Sequence, residues 1–156
     1  MPSDAASREQ AAAGLEPGDI NRLTGAPWVG TLTYKDYSSG KPTTIESSFM
    51  VTPVPGDPAA WKFGYGYSKE PHADAEEVVR LSADGRTLGD ERVIAVERGA
   101  DGSLRFTTES EGDDDGRPSL FRFEHVSTRT ALTRRKLVRF EGESEFFERH
   151  IYRWAR

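Results

Sequence analysis

The residues able to do chemistry in this chain are Tyr, Asp, His and Arg, and they recur at a spacing of two. Tyr34 and Asp36 stand two apart, as do Phe123 and His125, and His150 and Tyr152. Tyr65 and Tyr67 follow Trp61 and Phe63 at the same spacing, separated by Lys62, Gly64 and Gly66. Arg134 heads the run Arg134-Arg135-Lys136, whose members alternate faces in a strand. Such a period puts every second side chain on one face of a β-strand. A tyrosine proton donor, Tyr34 or Tyr65, working with Asp36 or His125 as base is the catalysis these residue types offer. The same set also describes a small-molecule pocket, in which apolar walls carry a few convergent polar groups. The plainer alternative is that the aromatics are core and each hydroxyl and imidazole is satisfied by a neighbour.

Asp36 has two readings. Inside a barrel its carboxylate needs a cation or a Tyr donor, because burying an unpaired charge is costly. Just beyond the strand it would instead cap the Ser38-Ser39-Gly40 turn. At least one residue of the basic run enters the interior, where it can meet Asp36 or an acidic ligand group. The other possibility is cross-strand pairing on the outer face with Glu124 or Glu148.

Several chemistries are excluded or weakly signalled. There is no cysteine, so thiolate catalysis, disulfides and sulfur-bound zinc are absent. No Gly-x-Ser-x-Gly, phosphate loop or dinucleotide fingerprint occurs. Asp113-Asp114-Asp115-Gly116 lacks the spacing of an EF-hand and reads as a solvated hairpin tip within a long polar turn, Glu111 to Gly116. An inward His125 or His150 would offer a haem iron an axial imidazole, with nothing else in the chain asking for haem. His72, in the Glu70-Pro71-His72 loop, is poorly placed to complete a zinc site. The net charge of -5 gives no basic stripe for nucleic acid. No apolar run approaches a membrane span, and the N-terminus lacks the regions of a signal peptide.

The elements that must position these residues are strands. At 156 residues the chain fits one domain. Residues 1–18 read as a flexible tail, with Ser7 and Gln10 as a capping box for a short helix at Ala11 to Ala13. Asp19 is placed as N-cap of a single turn, Ile20 to Leu23. Trp28 to Tyr37 is the first strand, with Trp28, Gly30, Leu32, Tyr34 and Asp36 inward. Thr43 to Pro53 alternates with Ile45, Phe49 and Val51 on one face. Trp61 to Tyr67 follows, then residues 75–82 and 87–97 around Asp84-Gly85, and a hairpin at Asp101-Gly102. Strands follow at Leu104 to Thr108, Phe121 to His125, Ala131 to Phe140, and Phe146 to Trp154. On the last, Phe146, His150, Tyr152 and Trp154 share one face and Phe147, Arg149, Ile151 and Arg153 the other; either can face inward, and the bulkier first set is the one expected there. Nine or ten regularly spaced strands predict an all-β, up-and-down antiparallel barrel preceded by a short helical turn. A barrel of that size holds one small ligand.

Leu23-Thr24-Gly25 followed by Trp28-Val29-Gly30 resembles the opening of calycin barrels, the lipocalins and fatty-acid-binding proteins. That resemblance implies a Trp closing the barrel base, with a late basic residue, Arg153 or Arg156, packed over it. The chain from Asn21 to Arg156 further resembles a group of uncharacterised bacterial lipocalin-like proteins. The pieces that carry this are Trp28 to Tyr34 with Asp36 to Pro42, Glu70-Pro71-His72-Ala73 and Ser82 to Leu88. Asp101 to Leu104 with Thr108-Glu109, and Phe140 to Glu143 through Arg149 and Tyr152, complete them. The resemblance implies the barrel fold and, since members typically carry a leader, a periplasmic or secreted location if one was removed, and a cytoplasmic one otherwise. It implies no reaction.

The expected function is non-catalytic binding or transport of a small, partly apolar molecule in the lumen of a barrel formed by residues 19–156, without a cofactor or metal. The expected ligand-binding residues are Tyr34, Asp36, Phe49, Trp61, Phe63, Tyr65, Tyr67, Phe123, His125, Arg134, His150 and Tyr152. The alternatives are an enzyme using Tyr, Asp and His at the open end, and haem binding. The expected partner is the small molecule alone, on a monomer or homodimer.

Overall fold

The computed structural model describes residues 14–156. Alternating strands joined by short turns form one antiparallel sheet that curls into a nearly closed barrel. Its elements are helix α1 (Pro17–Asn21) and strands β1 (Trp28–Lys35), β2 (Pro42–Pro53), β3 (Ala60–Gly66) and β4 (Ala75–Arg80), then β5 (Thr87–Leu88) and β6 (Glu91–Arg98). They continue as β7 (Leu104–Asp114), β8 (Arg117–Ser127), β9 (Ala131–Phe140) and β10 (Phe147–Ala155). A single 3₁₀ turn, Pro71–Ala73, lies before β4. The strand order is β4-β3-β2-β1-β10-β9-β8-β7-β6-β5, so the first and last strands pair in the middle of the order. The expected all-β up-and-down architecture is therefore what forms. No described helix is long and apolar enough to cross a membrane.

The barrel is stitched shut at one corner only. Leu81 bridges Leu88, Gly89 N–H donates to Arg80 O, and Ser82 N–H donates to Thr87 O. Beyond that corner, β4 and β6 share no ladder, which leaves an unpaired seam in the wall. The region expected as a strand over 87–97 is broken by Gly89-Asp90, and the break opens this seam.

One end of the barrel is closed by α1. Trp28 is fully buried and donates from Nε1 to Leu23 O at 3.0 Å. Arg156 lies over the Trp28 ring at 4.1 Å and donates to the carbonyls of Arg22, Leu23 and Thr24. Trp61 donates to Asn21 Oδ1 at 2.8 Å, fixing the end of α1. Asp19 sits inside α1 rather than at its N-cap. Pro17 occupies the first turn, so Glu16 is the cap, and the Asp19 carboxylate accepts from Glu16 N–H at 2.7 Å and from Arg98 at 2.6 Å. Ser7, Gln10 and Ala11 to Ala13 lie outside the described residues. Gly14 and Leu15 of the expected tail pack on the barrel: Leu15 is buried and donates its N–H to Gly85 O at 2.9 Å.

Two further expectations are corrected. The polar run Glu111 to Gly116 is mostly strand. Gly112 pairs with Ser119 and Asp114 with Arg117, leaving Asp115-Gly116 as a two-residue turn. Both turn residues have positive φ, 52° and 70°, which the tight hairpin requires and Asp and Gly tolerate. Phe146 does not share the face of His150. A bulge between Glu148 and His150 inserts Arg149, so Phe147 pairs with inward-facing Val138 while His150 pairs with Lys136. One extra residue exchanges the faces of everything before it. Phe146 instead lies outside, beneath the guanidinium groups of Arg122 and Arg139.

Candidate functional site

Among the described residues, two spaces open into the interior. The larger, an inner cavity of about 380 Å³, lies above α1. It is walled by aromatics from four strands, Phe49, Phe63, Tyr65, Phe106 and Trp154, with Leu132 and Leu88 filling between them. They stack on one another: Phe49 lies 4.7 Å from Trp154 and 4.9 Å from Tyr65. Glu77, Val78 and Val79 of β4 line it opposite Gly89, Asp90 and Glu91, so the cavity meets the outside along the unpaired seam.

One polar cluster breaks this wall. Arg134 projects inward from β9 and donates to Glu91 Oε2 at 3.0 Å and to Tyr65 Oη at 3.3 Å. Its guanidinium also lies 4.5 Å from the centre of the Phe123 ring. The second oxygen of Glu91 accepts from Thr108 Oγ1 at 2.5 Å. Both partners of the ion pair are largely buried, and each has supporting hydrogen bonds, which is what makes burial of the charges tolerable. Because Tyr65 accepts from Arg134, its own O–H remains to donate. Burial holds that phenol above its usual pKa, so it stays protonated. His125 stacks flat on Phe106 at 4.1 Å, with Nε2 3.5 Å from Thr108 Oγ1. Burial, and then the Arg134 charge, push its imidazole well below the usual range, so it is neutral.

The second space, about 360 Å³, lies at the opposite, more open end. Tyr34, Tyr67, Lys136, Arg149 and His150 line it, with Leu32 and Ile45. Tyr67 and Tyr152 share a hydroxyl–hydroxyl bond of 2.6 Å. Asp114 accepts from the Tyr37 hydroxyl and lies 3.5 Å from Arg149 Nε. Arg149 also donates to Lys35 O at 2.6 Å. His150 Nε2 is buried and has no hydrogen-bond partner. Burial, then the Arg134, Lys136 and Arg149 charges, bring its pKa down to about 3, so the ring is neutral near pH 7.

Of the residues expected at a ligand, Phe49, Phe63, Tyr65, His125 and Arg134 line the inner cavity. Tyr34, Tyr67 and His150 line the open-end space. Phe123 and Tyr152 line neither. Phe123 packs under Arg134, and Tyr152 lies between Trp154 and His150 and holds Tyr67. Trp61 is consumed in fixing α1. Asp36 leaves the lumen altogether. It follows the end of β1, and its carboxylate accepts from Ser38 Oγ at 2.6 Å and Ser38 N–H at 2.9 Å, which also lower its pKa. The turn supplies those donors locally, so Asp36 needs no buried cation.

Glu91, Thr108, Phe106, Lys136, Arg149 and Asp114 were not in the expected set. Lys136 was signalled by its spacing of two from Arg134. Arg149 had no signal, because its inward position is produced by the bulge. Among the described residues, no group of three or more His, Cys, Asp or Glu side chains is arranged to hold a metal ion. No family model matches the chain, and no curated protein does.

Proposed function

We propose that this protein is a lipocalin-like carrier or sensor that encloses a small, partly apolar molecule in the inner cavity without transforming it. The observation that carries the reading is the cavity of about 380 Å³, whose aromatic wall is interrupted by the polar cluster of Tyr65, Arg134 and Glu91. Small-molecule sites typically occupy roughly 300–1,000 Å³ and combine apolar walls with a few polar anchors. The anchor on offer is the Tyr65 O–H beside the Arg134–Glu91 pair, which suits a ligand carrying a hydrogen-bond acceptor, such as a carbonyl or ether oxygen.

A binding role is favoured over catalysis by how the polar groups are engaged. Glu91 spends both oxygens on Arg134 and Thr108. Asp36 is tied to its own turn and stands apart from His125, so the two do not form an acid–base pair.

The test is native mass spectrometry of protein purified from its own host, with wild type compared to Leu132→Trp, which fills the cavity. A retained small molecule in wild type that is lost in the variant supports the reading. If wild type carries none and takes up an apolar fluorophore no better than Leu132→Trp, the reading fails.

A further inference from the structure

At the open end one interior cation forms no ion pair among the described residues. The charged residues of β6 to β10 that line the two spaces are Glu91, Asp114, Arg134, Lys136 and Arg149. Glu91 is held by Arg134 and Thr108. Asp114 is held by Tyr37 and Arg149. Lys136 is left over. None of the ion pairs among the described residues includes it. Glu70, the other carboxylate of the pocket lining, is exposed on the rim and forms no ion pair.

The surroundings of Lys136 compensate its charge only in part. The ammonium lies 4.0 Å from the centre of the Phe121 ring and 5.8 Å from that of Phe123. Ring faces attract a cation, but they do not accept three hydrogen bonds. Lys136 is only partly exposed; burial, the largest cause, together with the Arg134 and Arg149 charges disfavours its charged form and outweighs the Asp114 and Glu91 carboxylates, which favour it. A second residue of the same lining carries an unsatisfied atom: His150, whose buried Nε2 has no hydrogen-bond partner. Buried polar atoms without partners are rare in folded proteins and mark where a water, ion or ligand atom belongs.

We infer that the open-end pocket is a site for a small oxyanion, a carboxylate or phosphate group, seated on Lys136 between Arg149 and His150. The anion's oxygens accept from the Lys136 ammonium and complete its coordination. They also give the neutral His150 ring an acceptor for its N–H once the ring turns toward them. The Tyr34 hydroxyl lines the same space and can donate to a further oxygen. Arg149 adds positive potential while staying tied to Asp114 and the Lys35 carbonyl. This site is separate from the inner cavity and does not depend on what that cavity holds.

The test is titration of ¹⁵N-labelled protein with inorganic phosphate and, separately, with benzoate, at constant ionic strength in chloride. The two anions distinguish a phosphate site from a carboxylate site. The expected result is saturating shifts of the Arg149 and His150 amides with at least one of them. Affinity falls by about tenfold or more in Lys136→Met, since removing one partner of a poorly solvated charge pair is costly. Lys136→Arg, which keeps the charge, retains binding, as does the cavity-filling Leu132→Trp. Spectral dispersion equal to wild type shows that each variant is folded. Failure of both anions to saturate wild type, or equal binding by folded Lys136→Met, overturns the inference. Loss of binding in Lys136→Met and Lys136→Arg alike, through misfolding or otherwise, also overturns it.

Discussion

The two ends of this barrel are built from similar residues and put them to opposite uses. At the closed end, Trp28, Trp61 and Arg156 are large and carry polar atoms, and those atoms meet carbonyls or amides of α1 and the turn after it. Nothing there is left for a guest. At the open end, Lys136 forms none of the ion pairs among the described residues, and His150 Nε2 has no hydrogen-bond partner. The lesson is that an aromatic or basic residue facing a lumen says little by itself. What separates a plug from a site is whether its polar atoms are already satisfied within the chain.

The sharpest way to break this contrast is to remove the plug. Trp28→Ala deletes a fully buried ring and the support for Arg156, and should lower stability by about 4 kcal/mol, measured by chemical denaturation. A loss below that of an ordinary surface substitution would mean the closed end is not the structural end. Next in size is Glu91→Gln, which leaves Arg134 buried without its counter-charge and should cost about 3 kcal/mol. If this variant is as stable as wild type, the Arg134–Glu91 pair is not what tolerates charge in the wall.

Acid should then test the burial of His150, beside that of His125 at the inner cavity. His150 titrates near 3 when folded and near 6.5 when unfolded, so it is neutral in the native state. As pH falls below about 6.5, the unfolded chain takes up a proton that the folded one refuses. Stability therefore declines by about 1.4 kcal/mol per pH unit from this group, until the pH nears 3. His150→Gln should remove this share of the slope over that window and leave that of buried His125, and an unchanged slope would place the His150 imidazole in solvent. The smallest effect is expected from Asp36→Ala, which removes only a turn cap. It should leave ligand retention by the inner cavity unchanged in native mass spectrometry, and a loss of retention would return Asp36 to the site.

Much of the fold was legible because strand parity is a local signal. Trp28, Leu32 and Tyr34 fall on the interior face as their spacing dictates, and Phe49, Phe63 and Tyr65 likewise meet across adjacent strands. Parity failed where one residue was added. The bulge that inserts Arg149 carries no mark in the sequence, and it sent Phe146 outside. A second bulge, between Val93 and Ala95, leaves Ile94 exposed in the same way. Spacing also says nothing about which inward groups satisfy each other. Glu91 lies in a charged stretch that reads as solvated, yet its pairing with Arg134 depends on a contact across the lumen. Asp36 continued the inward spacing of its strand on paper, but β1 ends one residue before it.

The strand order carries a consequence for how the chain assembles. Strands β1 to β4 form one consecutive meander and β5 to β10 another, so each can grow by closing short local loops. Among the backbone ladders only β1–β10 joins them along their length, and the corner at Leu81–Leu88 joins them at a point; side-chain contacts across the lumen, such as Tyr67 with Tyr152, add to these. That ladder brings together the two most distant strands in the chain, and closing so long a loop is entropically costly until both meanders are in place. Folding should therefore end as a zipper drawn between the first strand and the last, and be slow for a chain of this size.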